Sequence, residues 1–317
     1  MISRRHLRIK AMQYLYGYFM SENDNPIRGE KELLTSVAKV EDLFLYQVLL
    51  LVEINQYAWR LSEDASSKFF PDESEVEPIE RFIDNRVVKQ LAENAEFSSL
   101  VKERGVNWSA QPDIARKIFN DFRMTPEFKK IKDQPDTYAA DKDFMLRFIK
   151  KNIFGNENLQ AFYEEINLYW SEDIDLANIM LMHLLKAMNI NFNEISSFTA
   201  LYHEPIEDEK EDLEMIRNIY RKTILNNKEY ESIISAKTQN WEVDRIAQID
   251  ILIMKMALCE ILEMPSIPVK VTLNEYIDIS KMYSTPKSSI FINGVLDKMI
   301  EDLRKSNKIK KTGRGLI

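Results

Sequence analysis

The sequence predicts an all-α protein, and three observations predict it. Only 7 Gly and 10 Pro occur in 317 residues, apolar residues recur at spacings of three and four along most of the chain, and no strand followed by a Gly-rich loop is found. A hydrophobic content of 45% is enough for a substantial core. The length allows two domains or one large one.

The first helix is predicted over about 3–19, with Leu7, Ala11, Tyr14, Leu15 and Tyr18 inward, and SENDNPIR (21–28) breaks it. A second covers about 40–64 and contains FLYQVLLLV (44–52), the longest apolar run. Nine residues is far short of the roughly 20 that span a bilayer, so this run predicts a buried helix. PDESEVEP (71–78) reads as an acidic, Pro-bounded loop. Helical stretches follow at about 79–104, 111–123, 141–154, 156–169 and 172–190. EPIEDEKED (204–212) is an acidic connector or helix start, followed by helices at about 212–225, 227–237, 242–263, 269–283 and 286–304. Thr285-Pro286 starts the last of these well, because Thr caps free N–H groups and Pro at the first helical position loses nothing.

That last helix contains FINGVLDK (291–298), where Asn-Gly, a strong turn signal, sits among apolar residues in helical phase. Gly inside a helix costs about 1 kcal/mol relative to Ala. Two explanations stand: close packing of another helix, or a surface that a ligand approaches.

An internal echo runs at an offset of about 70 residues. Met145, Arg147, Ile149 and Asn156 match Met215, Arg217, Ile219 and Asn226, and Trp170 and Asp173 match Trp241 and Asp244. The echo is either a degenerate duplication or a chance alignment of two amphipathic stretches.

Net charge is −8, but its distribution matters more. Residues 1–20 carry +4 with no acid, residues 21–210 carry −14, and residues 211–317 carry +2. After Asp302 the chain holds Arg304, Lys305, Lys308, Lys310, Lys311 and Arg314 and no acid, which predicts a basic flexible tail over 305–317. Both ends are basic and the middle is acidic. The N-terminus lacks an apolar export signal and Cys259 is the single cysteine, so the chain reads as cytoplasmic and free of disulfides.

No catalytic constellation appears. Three histidines and one cysteine offer no metal-ligand spacing, and no nucleophile elbow or phosphate-binding Gly loop is present, so neither enzyme nor cofactor is expected. The acid runs read as solvated faces. Glu260, on the stripe Ile249, Ile253, Met256 and Ala257, reads as partly buried and hydrogen-bonded to a neighbouring helix, whereas Asp250 points off that stripe toward a partner or solvent. In the first helix, Arg4 and Arg8 share a face with Arg5 beside them, and Tyr16 lies two turns beyond Arg8 with a ring that can stack on a base. These four are the candidate RNA-binding residues; a solvated basic helix end is the plainer alternative.

RRHLRIKAMQYLY (4–16), WEVDRIAQIDILIMKMALCEIL (241–262), IPVKVTLNEYIDISKMY (267–283) and FINGVLDK together resemble the NusB family of transcription antitermination factors. The likeness covers about 1–20 and 212–303. It implies a NusB-like helical bundle formed by 1–20 and 211–304, interrupted by an inserted helical region at 21–210. It further implies binding of single-stranded boxA-type RNA of ribosomal RNA leaders, with NusE, a ribosomal small-subunit protein, inside an RNA polymerase antitermination complex. By position, Arg4, Arg5, Arg8, Tyr16 and Phe291 would form the RNA surface, and Asp250 would face NusE. Gly294 would lie where the last helix packs closely beside that surface. Alternatives are an RNA-binding accessory to an rRNA-modifying enzyme and a helical adaptor that binds protein only.

Overall fold

A computed structural model of the chain describes residues 3–21, 25–66, 73–201, 207–238 and 246–316. Among these, all regular structure is helical, with no strand. The helices are α1 (Arg4–Met20), α2 (Pro26–Ser66), α3 (Glu73–Ile83), α4 (Arg86–Glu93), α5 (Ala95–Arg104), α6 (Pro112–Arg123), α7 (Pro126–Lys129), α8 (Tyr138–Asn152), α9 (Glu157–Ile166) and α10 (Ile174–Ala187). They continue with α11 (Glu207–Leu225), α12 (Asn227–Thr238), α13 (Gln248–Glu263), α14 (Val269–Tyr283) and α15 (Pro286–Lys305). No helix among the described residues is long and apolar enough to cross a membrane.

The chain divides into two compact units, Ala38–Pro205 and Ile2–Val37 with Ile206–Ile317. Helix α2 contributes residues to both. In the first unit, the apolar face of α2 supplies Phe44, Leu45, Val48 and Leu51, all within 1% of complete burial. Rings dominate the rest. Phe82 packs against Phe119, Phe144 and Phe148 edge to face at 5.1, 6.0 and 5.5 Å between centroids, a geometry that ring quadrupoles favour. Trp170 Nε1 donates to Lys39 O at 2.7 Å and Trp108 Nε1 to Tyr46 O at 3.2 Å, so each buried indole N–H has an acceptor.

The second unit packs α1, α11, α12, α13, α14 and α15 around one core that includes Leu7, Leu15, Ile219, Tyr220, Ile253, Met256, Tyr276, Leu296 and Met299. Helix α13 is its centre. From Leu252 to Ile261 every residue is buried, as expected of a helix covered on all sides.

Several local readings change. The stretch expected as one helix over 79–104 is three, because Asn85 accepts from the N–H groups of Val87 and Val88 and Asn94 from that of Phe97, each capping a new start. Residues 73–78 are helical rather than loop, with Pro78 inside α3. Helix α2 starts at Pro26, fourteen residues before the expected Val40. Helix α13 starts at Gln248, after Ala247 in a non-helical backbone conformation, six residues later than the expected 242. Trp241 lies outside the described residues, so the pairing of Trp170 with Trp241 does too.

The basic tail is docked rather than flexible. Lys311 Nζ donates to the carbonyls of Met264 (2.8 Å) and Glu260 (3.3 Å) at the end of α13, placing a cation at the negative end of that helix. Thr312 N–H donates to Pro265 O at 3.0 Å. Gly315 lies so close to Pro265 that an added Cβ would sit 1.9 Å from that carbonyl oxygen.

Candidate nucleic-acid interface

Helix α1 opens on Ser3, whose side chain accepts from His6 N–H. Its first turn then carries two arginines and no acid. Cations at a helix N-terminus oppose the macrodipole, and here carboxylates from other helices compensate them. Arg4 Nε lies 2.6 Å from Asp212 Oδ1 of α11. Arg5 makes a two-pronged pair with Glu275 of α14, Nε–Oε2 at 2.9 Å and Nη2–Oε1 at 3.0 Å, and its Nη2 also lies 2.9 Å from Asp278 Oδ2.

Arg8 lies inside the protein. Its side chain is 2% exposed and pairs with the fully buried Glu260 of α13, Nε–Oε2 at 2.7 Å and Nη2–Oε1 at 2.9 Å. Thr272 Oγ1 donates to Glu260 Oε1 at 2.8 Å and Tyr276 Oη to Oε2 at 3.4 Å, so four donors surround one carboxylate. The ion pair holds the Arg8 guanidinium well above its ordinary range despite burial, and burial with Glu260 alongside pushes the Tyr276 phenol far up. The sequence reading grouped Arg8 with Arg4 and Arg5 on one exposed surface. Burial withdraws it from that surface, because the partner that Glu260 needs is this guanidinium.

Around these residues is an open cleft of about 700 Å³, walled by Arg4, Arg5, His6 and Glu275 with Ile267, Pro268 and Val271 as an apolar face. The side chains of Arg4 and Arg5 remain 43% and 38% exposed there. Burial, Arg5 and Lys10 all push His6 below its usual pKa, so it is neutral at pH 7 and adds no charge.

The other candidate residues lie elsewhere. Tyr16, 41% exposed, is twelve residues along α1 from Arg4, about 18 Å at 1.5 Å per residue. It lines a smaller cleft of about 140 Å³ with Phe19, Gln248, Leu252 and Lys255. Phe291 is half-buried on α15 and packs against the core. Neither residue borders the arginine cleft. Asp250 is 4% exposed, with Oδ1 buried and lacking a hydrogen-bond partner, so it does not face outward as its offset from the apolar stripe suggested. Among the described residues, no group of three or more His, Cys, Asp or Glu could hold a metal ion.

Gly294 also differs from expectation. It is exposed, and a Cβ added there would meet nothing within 4 Å, so close helix packing does not explain it. Gly294→Ala is therefore expected to stabilise the free protein by about 1 kcal/mol, measured by urea unfolding. A destabilised variant would contradict the open geometry.

The NusB family matches residues 176–301, from the first turn of α10 to α15. The transcription antitermination protein NusB of Salinibacter ruber is 39% identical over 118 residues, covering 37% of this chain and 74% of that protein. That of Alkaliphilus oremlandii is 34% identical over 128 residues, 40% of this chain and 91% of that protein. The chain belongs to the NusB family. A third NusB protein, from Chloroherpeton thalassium, is 38% identical over 104 residues, 33% of this chain and 49% of that protein. No solved structure matches. Helix α1 precedes the stretch matched to the NusB family, so the arginine cleft joins residues outside that stretch (Arg4, Arg5, Arg8) to residues within it (Pro268, Val271, Glu275).

What sequence reasoning missed is the acid set. Asp212, Glu275 and Asp278 face the arginines from 208 to about 270 residues away in sequence. Only Glu260 left a signal, as a carboxylate on an apolar stripe.

Proposed function

We propose that this chain is a non-enzymatic transcription antitermination factor that binds single-stranded, boxA-type RNA of ribosomal RNA leaders together with NusE. The observation that carries the RNA contact is the cleft at the start of α1, where two part-exposed guanidinium groups border an apolar face of Ile267, Pro268 and Val271. That combination suits a single strand, with phosphates on the arginines and an unstacked base against the apolar face. Tyr16 and Phe291 extend this reading as stacking positions away from the cleft. Arg8 enters it as the residue that seats α1. Asp250, the position that the NusB resemblance gives to NusE, is buried in the first turn of α13.

Each phosphate contact on a single strand contributes about −0.7 to the slope of log K against log salt. An Arg4→Ala/Arg5→Ala double variant is expected to flatten that slope by about 1.4, measured by fluorescence anisotropy with a labelled boxA-type 12-mer, with and without NusE. An unchanged slope and affinity would remove the cleft as the RNA site.

A further inference from the structure

The three arginines of the cleft face five carboxylates within 4 Å, from Glu211, Asp212, Glu260, Glu275 and Asp278. The helix end that looks basic in sequence is thus neutralised by its own fold. The carboxylates are not equivalent. Glu260 is enclosed with Arg8, and Glu275 grips Arg5 through both oxygens with its side chain 20% exposed. Asp278 is one turn further along α14, 36% exposed, and forms an ion pair with Arg5 at Nη2. It also accepts from Lys281 Nζ at 2.8 Å.

A phosphate oxygen arriving at Arg5 needs N–H groups on an exposed edge. Nε and Nη2 donate to Glu275, and Asp278 Oδ2 lies 2.9 Å from the same Nη2 as an ion pair. We propose that Asp278 sets the phosphate affinity of Arg5: its carboxylate, just beyond the cleft lining, competes with an RNA phosphate for the Nη2 end of the guanidinium, while Glu275 positions the guanidinium from the cleft wall. The role rests on the RNA reading of the cleft. A carboxylate so placed lowers non-specific attraction to phosphate backbones, because an incoming strand must displace it and overcome its repulsion.

Asp278→Asn keeps the shape and removes the charge at a part-exposed position. It is expected to tighten binding of a boxA-type 12-mer about three- to tenfold at low salt and to steepen the salt slope by about 0.7, one phosphate contact. Because the substitution also frees Lys281, it is repeated in the Lys281→Ala and Arg5→Ala backgrounds. The gain should persist in the first and vanish in the second. Glu275→Gln, which loosens the positioned guanidinium, should not tighten binding. Unchanged or weakened binding by Asp278→Asn overturns the proposal, as does a gain that depends on Lys281 rather than Arg5. If the Arg4/Arg5 double variant flattens the slope while Asp278→Asn does nothing, this role alone falls. If neither the full chain nor any variant binds RNA, the reading of the cleft falls with it.

Discussion

Arg8→Met is expected to lower the unfolding free energy by about 3–5 kcal/mol, the range for removing one partner of a buried ion pair. Arg8 and Glu260 are 2% and 0% exposed in their side chains, so solvent screens neither. Deleting the guanidinium leaves a buried carboxylate with only the Thr272 hydroxyl and the longer bond from Tyr276. Two neutral donors do not replace a two-pronged cation. The companion variant Arg8→Met/Glu260→Met removes the stranded charge as well and should be markedly more stable than the single variant, because an ion pair replaced by apolar groups of similar volume costs little. Urea unfolding of the full chain reads both. A single variant within 1 kcal/mol of wild type, or a double variant no better than the single, would contradict the geometry. For function, RNA binding lost in an Arg8 variant reports on the seating of α1 and must be read against its stability.

The same pair marks what the sequence could convey. Helix positions follow from apolar spacing, a local property, and α1, α6, α12, α14 and α15 lie close to where that spacing puts them. Starts and stops depend on single side chains. Asn85 and Asn94 divide a stretch whose apolar phase runs straight through both, and only their bonds to the backbone N–H groups of Val87, Val88 and Phe97 reveal them as caps. The tail misled because its composition is that of a solvated segment, while its anchorage depends on the carbonyls of Met264 and Glu260 at the C-terminal end of α13, far away in sequence. At the candidate site, clustered arginines are visible within one turn of α1. Their counter-ions are not, since Asp212, Glu260 and Glu275 come from three other helices and nothing local ties them to residues 4–8. Charge summed by segment therefore overstated the field at the first helix.

Gly29→Ala is the second substitution with a large expected cost, and here the cause is contact rather than charge. Gly29 lies in the first turn of α2, where an added Cβ would sit 2.1 Å from the hydroxyl of Tyr220 and 3.1 Å from its Cζ. Tyr220 is fully buried on α11 and cannot swing away. Overpacking of this kind costs about 1–3 kcal/mol. The Tyr220 hydroxyl is itself buried without a hydrogen-bond partner, so Tyr220→Phe should be neutral or stabilising on its own, because it removes an unsatisfied group. In that background the nearest obstacle to the new Cβ is gone. Gly29→Ala should then cost about 1 kcal/mol less than in wild type, a coupling of the size expected for residues in contact. Strict additivity in urea unfolding would sink the argument. The contact also bears on the cleft: Glu30, the next residue, pairs with Arg221 of α11 at 2.7 Å, and the same helix carries the Asp212 that holds Arg4. A Gly29→Ala chain that shifts α2 against α11 should therefore loosen Arg4 at the RNA cleft as well as the core, and the Tyr220→Phe background should restore both together.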